Sequence, residues 1–407
     1  MTKTFKKPVA FISAAVMVMT MLLYFPSGMF STCFEIKASA AETTLTEPQK
    51  DGNGVYQIGT AAELYWFAAC VNGTDGVTRN TAANAVLTAD IVVNENVLNA
   101  DGTPNGTDFT SWTPIGTSNS SAYTGTFDGQ NHTISGLYFS GSSTSKVGLF
   151  GYVRENGSVS NAGVKDSYFY AKEYVGGVCG LNYYGTITNC YNTGTVSAAV
   201  YNSAMLGGVC GQNYYGTITD CYNIGTVIGS QNSIQVGGVC GYNESGTIEN
   251  CYNTGAVNGS GQIGGVCGWN TNIIRNCYFL SGTAKQGIGG DSASGSTESK
   301  TKSEMYTAAF CGTLGYHSQF DENVFCGLCK NGYQPANKTT HKYNIDGVEG
   351  FDEVYEISNK SQLYWFAQQV NNGNTSINAV LTANITVNSN VLNADGTPNG
   401  TDFTSWT

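Results

Sequence analysis

Charge is scarce in this chain. Only 12% of its 407 residues are Asp, Glu, Lys or Arg, and the balance is acidic, at −11. Arginine occurs only as Arg79, Arg154 and Arg275. No basic stripe exists to neutralise phosphates, which argues against a nucleic-acid partner. Histidine is as rare. His132, His317 and His341 are none of them followed by Glu, so the H-E-x-x-H pattern of zinc proteases is missing. A G-x-S-x-G elbow and a phosphate-binding loop are missing too. A long helical bundle would need more Leu, Glu, Lys and Ala than the chain carries.

What is present is glycine, at 52 residues, with many Asn, Ser, Thr and Tyr. That mixture suits short strands broken by many turns. The length allows two or three ordinary domains or one long repeat array, and internal repetition selects the array. "GGVCGLNYYGTITNCYNTGTV" at 176–196 returns as "GGVCGQNYYGTITDCYNIGTV" and "GGVCGYNESGTIENCYNTGAV", then as the shorter "GGVCGWNTNIIRNCYFLSGT". A copy without cysteines, "VGLFGYVRENGSVSNAGV", precedes them at 147–164. Periods of 20 to 50 residues mark solenoids.

A longer repetition encloses this one. "YQIGTAAELYWFAACVN" at 56–72 returns as "YEISNKSQLYWFAQQVN" at 355–371, and "VLNADGTPNGTDFTSWT" at 97–113 returns unchanged at 391–407. Ending inside its own repeat predicts a chain that continues beyond Thr407. Leu64, Phe67, Ala68 and Val71 share one helical face, with Thr60 and Glu63 at capping-box spacing. At the other extreme, Lys3, Lys6 and Lys7 precede an apolar run over 10–25 and the small-residue site "ASA" at 38–40. This pattern predicts a signal peptide over 1–40 and no membrane span after cleavage; an uncleaved anchor is the alternative.

The expected organisation is therefore a signal peptide (1–40), a linker (41–54) and a β-helix (55–305). The β-helix holds a capping helix over 60–71 and repeats over about 147–280. A closing or linker segment (306–353) and the start of a truncated second module (354–407) follow. The Gly-, Ser- and Thr-rich stretch 281–304 reads as a loop or linker. A unit of about 30 residues cannot bury both faces of its strands alone, but stacked copies can, about 4.8 Å apart. The expected fold is all-β, a right-handed parallel β-helix with a short N-terminal capping helix. Val178, Val209, Val239 and Val266 would form one ladder. Ile187, Ile218 and Ile248 would form another, completed by Ile273 or Ile274. Asn182, Asn213, Asn243 and Asn270 would form a ladder of amides. Glycines at the corners are expected to supply positive φ.

These repeats resemble the GLUG motif, found in bacterial surface proteins that include adhesins and the non-catalytic part of IgA-specific peptidases. "WTPIGTSNSSAYTGTFDGQNHTISGLYF" at 112–139 is similar to the opening coils of secreted β-helix proteins of gut Firmicutes. "CKNGYQP" at 329–335 resembles their closing segment, with Gln334 interrupting it. The resemblance implies a β-helix, a secreted or cell-surface setting of Gram-positive type, and a role in adhesion or display. Its implied partners are glycans or host and bacterial surface proteins. It implies no cofactor and no defined chemistry.

Stacking places Cys179, Cys210, Cys240 and Cys267 in one ladder and Cys190, Cys221, Cys251 and Cys277 in a second. Three states fit: reduced buried thiols, disulfides between or across coils, or a metal or cluster site. A separate weak zinc candidate is Cys311, His317, Cys326 and Cys329, where Cys326 and Cys329 have C-x2-C spacing. Asp101, Asn105 and Asp108 lie in a Gly-rich turn able to hold calcium weakly or simply to be solvated. No catalytic residue is assigned. The alternatives are a polysaccharide-active β-helix enzyme, or a non-catalytic stalk of a larger surface peptidase. The enzyme would need paired carboxylates or a Lys/Arg base, and Asp220, Glu244 and Glu249 sit at non-equivalent positions. What remains is surface. Tyr183, Tyr184, Tyr214 and Tyr215 fall at equivalent positions before the turn, while Tyr242 and Trp269 align with Leu181 and Gln212. Together they are expected to offer an aromatic platform for sugars or a protein.

Overall fold

The computed structural model describes residues 45–198, 204–230, 235–293 and 295–305, and shorter stretches between 310 and 385. The predicted signal peptide and the candidate ligands Cys311, His317, Cys326 and Cys329 lie outside the described residues.

Each repeat makes one turn of a parallel β-solenoid, contributing a strand to each of four sheets. "CGLNY" opens the turn as Cys179–Tyr183, and "TIT" follows as Thr186–Thr188. "YN" is Tyr191–Asn192, and "TVSA" is Thr195–Ala198. The same four strands recur in the next repeat at Cys210–Tyr214, Thr217–Thr219, Tyr222–Asn223 and Val227–Ile228. Register is exact in type: Cys179 opposes Cys210, Ile187 opposes Ile218, and Tyr191 opposes Tyr222. A period that varies between repeats is absorbed mainly in the connections after the fourth strand, and by one residue between Asn270 and Ile273, so the paired segments stay aligned.

The interior is the stack of equivalent apolar residues. Val178, Val209, Val239 and Val266 are all fully buried, as are Ile187, Ile218 and Ile248. Ile274 completes the isoleucine ladder; its neighbour Ile273 points outward, 42% exposed. The helix α1, Ala61–Asn72, buries Leu64, Phe67, Ala68 and Val71. Thr60 caps it by accepting from Glu63 N, while Glu63 Oε2 accepts from Gly59 N at 2.9 Å. Gly73, at φ 70, closes it with a bond to Ala69 O. Phe67 meets Tyr123 and Phe127, each with ring centroids 6.1 Å away. The edge beside α1 is closed by a second device. Gln49–Lys50, expected within a linker, forms a two-residue antiparallel strand on Tyr56–Ile58. So short an edge gives little template for another chain.

Two further expectations change. The stretch 281–304 is no loop: Ile288–Asp291 and Thr297–Lys300 add a last strand to two of the sheets. Strand pairing here rests on backbone hydrogen bonds and on glycine, with Gly290 lying under the Trp269 ring, so side-chain periodicity carried no signal. The repeat glycines serve close approach rather than positive φ. A Cβ on Gly208 would lie 2.1 Å from the Asn223 amide carbon and 2.3 Å from Gly238 O. The left-handed corners fall instead on Asn189, Asp220, Asn250 and Asn276, residue types that tolerate that region.

The long duplication has a structural echo. Tyr355, Glu356 and Ile357 oppose Ala379, Val380 and Leu381 in parallel, the same register as Tyr56, Gln57 and Ile58 on Ala85, Val86 and Leu87.

Candidate binding surface

The buried polar residues form two amide ladders. Asn182 Nδ2 donates to Asn213 Oδ1, Asn213 to Asn243, and Asn243 to Asn270, each at 2.8 Å. The second Nδ2 hydrogen of Asn182, Asn213 and Asn243 goes to the carbonyl of Gly185, Gly216 or Gly246. The second ladder, Asn192 to Asn223 to Asn253 at 2.9 and 2.8 Å, was not anticipated. Its signal was available in the "CYN" phrase of three repeats. The first ladder stops at Asn182, because Val153 occupies the equivalent position in the preceding coil. Asn182 Oδ1 is left buried without a partner.

The cysteines lie in register and inside. Cys179, Cys210, Cys240 and Cys267 are adjacent rungs, and Cys190 N donates to Cys221 Sγ, as Cys221 N does to Cys251 Sγ. Cys277 is the last rung of the second ladder. Val178 and Cys179 both face inward because the chain bends between them, which shifts strand alternation. All nine described cysteines are free thiols. Thiols of both ladders bond to a carbonyl two residues away along the chain, as Cys210 Sγ does to Gln212 O at 3.1 Å and Cys251 Sγ to Glu249 O at 3.1 Å. Burial pushes Cys190, Cys210, Cys251 and Cys267 well above the ordinary thiol range. Among the described residues, no three His, Cys, Asp or Glu converge as a metal site. The Asp101 turn is held internally, with Asp101 Oδ1 accepting from Thr103 N and Oγ1. Its Gly102 carbonyl accepts from Thr195 Oγ1 at 2.7 Å, strapping the loop onto the solenoid. His132 pairs with Asp90 at 3.2 Å in a strand turn.

The tyrosines divide into two populations. Tyr191, Tyr222 and Tyr252 stack at 4.9 and 4.8 Å and are fully buried, with Met305 and Phe310 packed on them. The other rows are more open, with Tyr183 and Tyr214 half-buried against Tyr152 and Leu181. Tyr183 stacks on Tyr214 at 4.8 Å, and Tyr184 on Tyr215 at 4.9 Å. Tyr184 is 44% exposed and Tyr215 49%. The two rows meet edge-on, Tyr183 to Tyr184 at 4.8 Å and 66°. Because the rings lie on one another, their inner faces are already occupied. The rows offer edges, hydroxyls and their end faces rather than the flat platform expected for sugar stacking. Leu181, Gln212, Tyr242 and Trp269 form the neighbouring row of the same sheet. Beside the Tyr183 row runs a groove of about 500 Å³, whose lining includes Lys146, Tyr152, Tyr174, Gln212 and Glu244. Sequence reading missed Lys146, Tyr152 and Tyr174, which lie outside the cysteine-bearing repeats.

Stacked coils, amide ladders and a bare aromatic flank define a parallel β-solenoid repeat protein. Within it the chain carries the GLUG motif, matched at residues 173–197, 202–228 and 232–258. Over 168 residues, 40% of this chain, it is 26% identical to halomucin of Haloquadratum walsbyi; the match spans 2% of halomucin's length. A crystal structure from Bacteroides ovatus, provisionally described as an immunoglobulin A1 protease, superposes with a TM-score of 0.46 and 16% identity. The superposition covers 76% of this chain and 95% of that one. At that score the likeness carries no functional argument. No helix among the described residues is long and apolar enough to cross a membrane.

Proposed function

We propose that the protein is a secreted, cell-surface repeat solenoid that works in adhesion or structural display, and that the open tyrosine rows are its contact surface for glycan or surface protein. One observation carries this reading. The tyrosine row Tyr191, Tyr222 and Tyr252 is fully buried in one cluster with Met305 and Phe310, whereas on another sheet Tyr184 and Tyr215 stay exposed beside half-buried Tyr183 and Tyr214. Tyr184 and Tyr215 also hold left-handed backbone, at φ 59 and 51, a region uncommon for tyrosine. The next coil places Ser245 at this same corner, at φ 55, so the turn itself does not require tyrosine. Tyrosine supplies large contact area and a polar tip at low entropic cost. The GLUG match and the alignment with halomucin support a repeat protein; the surface setting rests on the N-terminal pattern of Lys3, Lys6, Lys7 and the apolar run.

The test is a glycan-array and mucin-binding assay, on the full chain and on a variant with Tyr183, Tyr184, Tyr214 and Tyr215 all changed to Ser. Binding by the parent that is lost in the folded variant is the expected result. Equal binding by both proteins, or none by either, refutes the assignment.

A further inference from the structure

We infer that the groove beside the tyrosine rows takes a short carboxylated oligosaccharide, lying along the solenoid axis with its acidic end at Lys146 and Arg154. The inference rests on the reading of the tyrosine rows as a glycan-contacting surface. The groove crosses successive coils. Tyr152 opposes Leu181, Leu181 opposes Gln212, and Gln212 opposes Tyr242, in the coil that carries Glu244. Three rung spacings of about 4.8 Å make a length of about 14 Å, enough for a few sugar rings end to end.

Both cations lie at one end, where Glu173, bonded to Tyr174 and Ser145, and Glu155 also lie near; what marks that end, among the described residues, is two cations without an ion-pair partner. Lys146 Nζ sits 5.5 Å from the Tyr152 ring centroid, and the Arg154 guanidinium 5.8 Å from that of Tyr183. Among the described residues, no carboxylate forms an ion pair with either cation. That is notable where 29 acidic residues outnumber 18 basic ones, and where Arg275 and Lys300 are both paired. At the opposite end, Glu244 accepts from Gln212 Nε2 at 2.8 Å. The Lys146 end offers a carboxylate two cations without an ion-pair partner. The other offers a carboxylate oxygen and an amide to sugar hydroxyls. Between them lie the phenol edges of Tyr174, Tyr183 and Tyr214, which both donate and accept. So many hydroxyl and amide groups suit a polyhydroxylated ligand better than an apolar one.

The backbone is bent to make this groove. Ser145 opposes Glu173 and Val147 opposes Val175, which sets Lys146 against Tyr174 across the ladder. Both hold left-handed backbone, φ 65 and φ 53, just past a register shift. Such conformations in Lys and Tyr persist where surrounding structure enforces them, and bulges of this kind re-aim side chains.

The experiment is calorimetric titration of the full chain at low salt with 3′-sialyllactose, trigalacturonate, lactose and maltotriose. It is repeated with Lys146→Gln, Arg154→Gln and the double variant, each checked by circular dichroism. Two partly exposed ion pairs predict that a carboxylated probe binds about five- to tenfold more tightly than its neutral counterpart. That preference should vanish in the double variant, and should shrink with added salt. Which acidic probe binds separates a sialylated from a uronate ligand. Neutral sugars bound as well as acidic ones, through the tyrosines, would overturn the acid site and leave the tyrosine surface standing. An acid preference that survives the double variant also overturns it. No binding by any probe overturns the acid site and the reading of the tyrosine rows as a glycan-contacting surface.

Discussion

Replacing Asn213 by Ala tests the physical basis of the solenoid most directly. The side chain is fully buried and makes four hydrogen bonds: it accepts from Asn182 and donates to Asn243, to the Gly216 carbonyl and, at 3.3 Å, to the Thr247 carbonyl. The Gly216 carbonyl keeps a second partner, Thr247 N at 2.9 Å. Truncation therefore strands two groups, one N–H of Asn182 and the Oδ1 of Asn243. Each stranded buried group costs about 1–3 kcal/mol, so Asn213→Ala should cost about 2–6 kcal/mol. Asn182→Ala is the control. Its Oδ1 already lacks a partner, so its removal strands only Asn213 Oδ1 and should cost about 1–3 kcal/mol. The void left by each truncation is the same in kind, so the difference isolates the hydrogen bonds. Urea unfolding of both variants, followed by far-ultraviolet circular dichroism, gives the two values. Equal costs, or a cost for Asn213→Ala below about 1 kcal/mol, would refute the claim that the amide ladder is a connected stabilising chain.

Three other outcomes are expected. Ile218→Ala removes a fully buried ladder rung and should cost about 2–5 kcal/mol, whereas Ile273→Ala, on the outward face, should stay within about 0.5 kcal/mol; the urea midpoints distinguish them. Stability should also fall in alkali. Burial lifts Cys190, Cys210, Cys251 and Cys267 above the thiol value of 9.0, while hydrogen bonds from these neighbouring thiols outweigh burial and lower Cys221 and Cys240, whose own contribution is complete by about pH 9 and does not oppose the loss above it. The unfolded chain then loses the protons of the raised thiols first as pH climbs. The full contribution is present below about pH 9 and declines above it by about 1.4 kcal/mol per thiol per pH unit. Unfolding midpoints measured between pH 7 and 10.5 that stay level contradict this. Finally, a thiol reagent added to the native protein at neutral pH should leave the ladder cysteines unmodified until urea is added, because every rung is inaccessible. Rapid labelling of the native chain would show that the rungs open.

Much of the solenoid was legible because its repeats are nearly identical. A residue type that recurs once per turn must stack on itself, whatever the details of the turn. That logic places the valine, isoleucine, asparagine and cysteine ladders without coordinates. It does less well where one coil differs from the next. The last coil, 281–300, pairs through backbone groups and glycine, so its sequence reads as a loop. The corner glycines were assigned a torsional role, but the space between Gly208, Asn223 and Gly238 is what demands them. The groove was illegible for a similar reason. Lys146, Tyr174, Gln212 and Glu244 come from four turns and share no period.

The sequence by itself determined the repeat, the rung-to-rung register and the identity of what stacks, since parallel pairing of like segments follows from periodicity alone. Only the tertiary structure decided which stacks face water. The Tyr191 row and the Tyr183 row follow the same periodic rule. One is buried in a cluster with Met305 and Phe310, far along the chain, and the other stays half-buried beside Lys146 and Glu244. Periodicity fixes neighbours along the axis; what lies across a face is set by segments outside the period, and those are placed only when the chain folds back on itself.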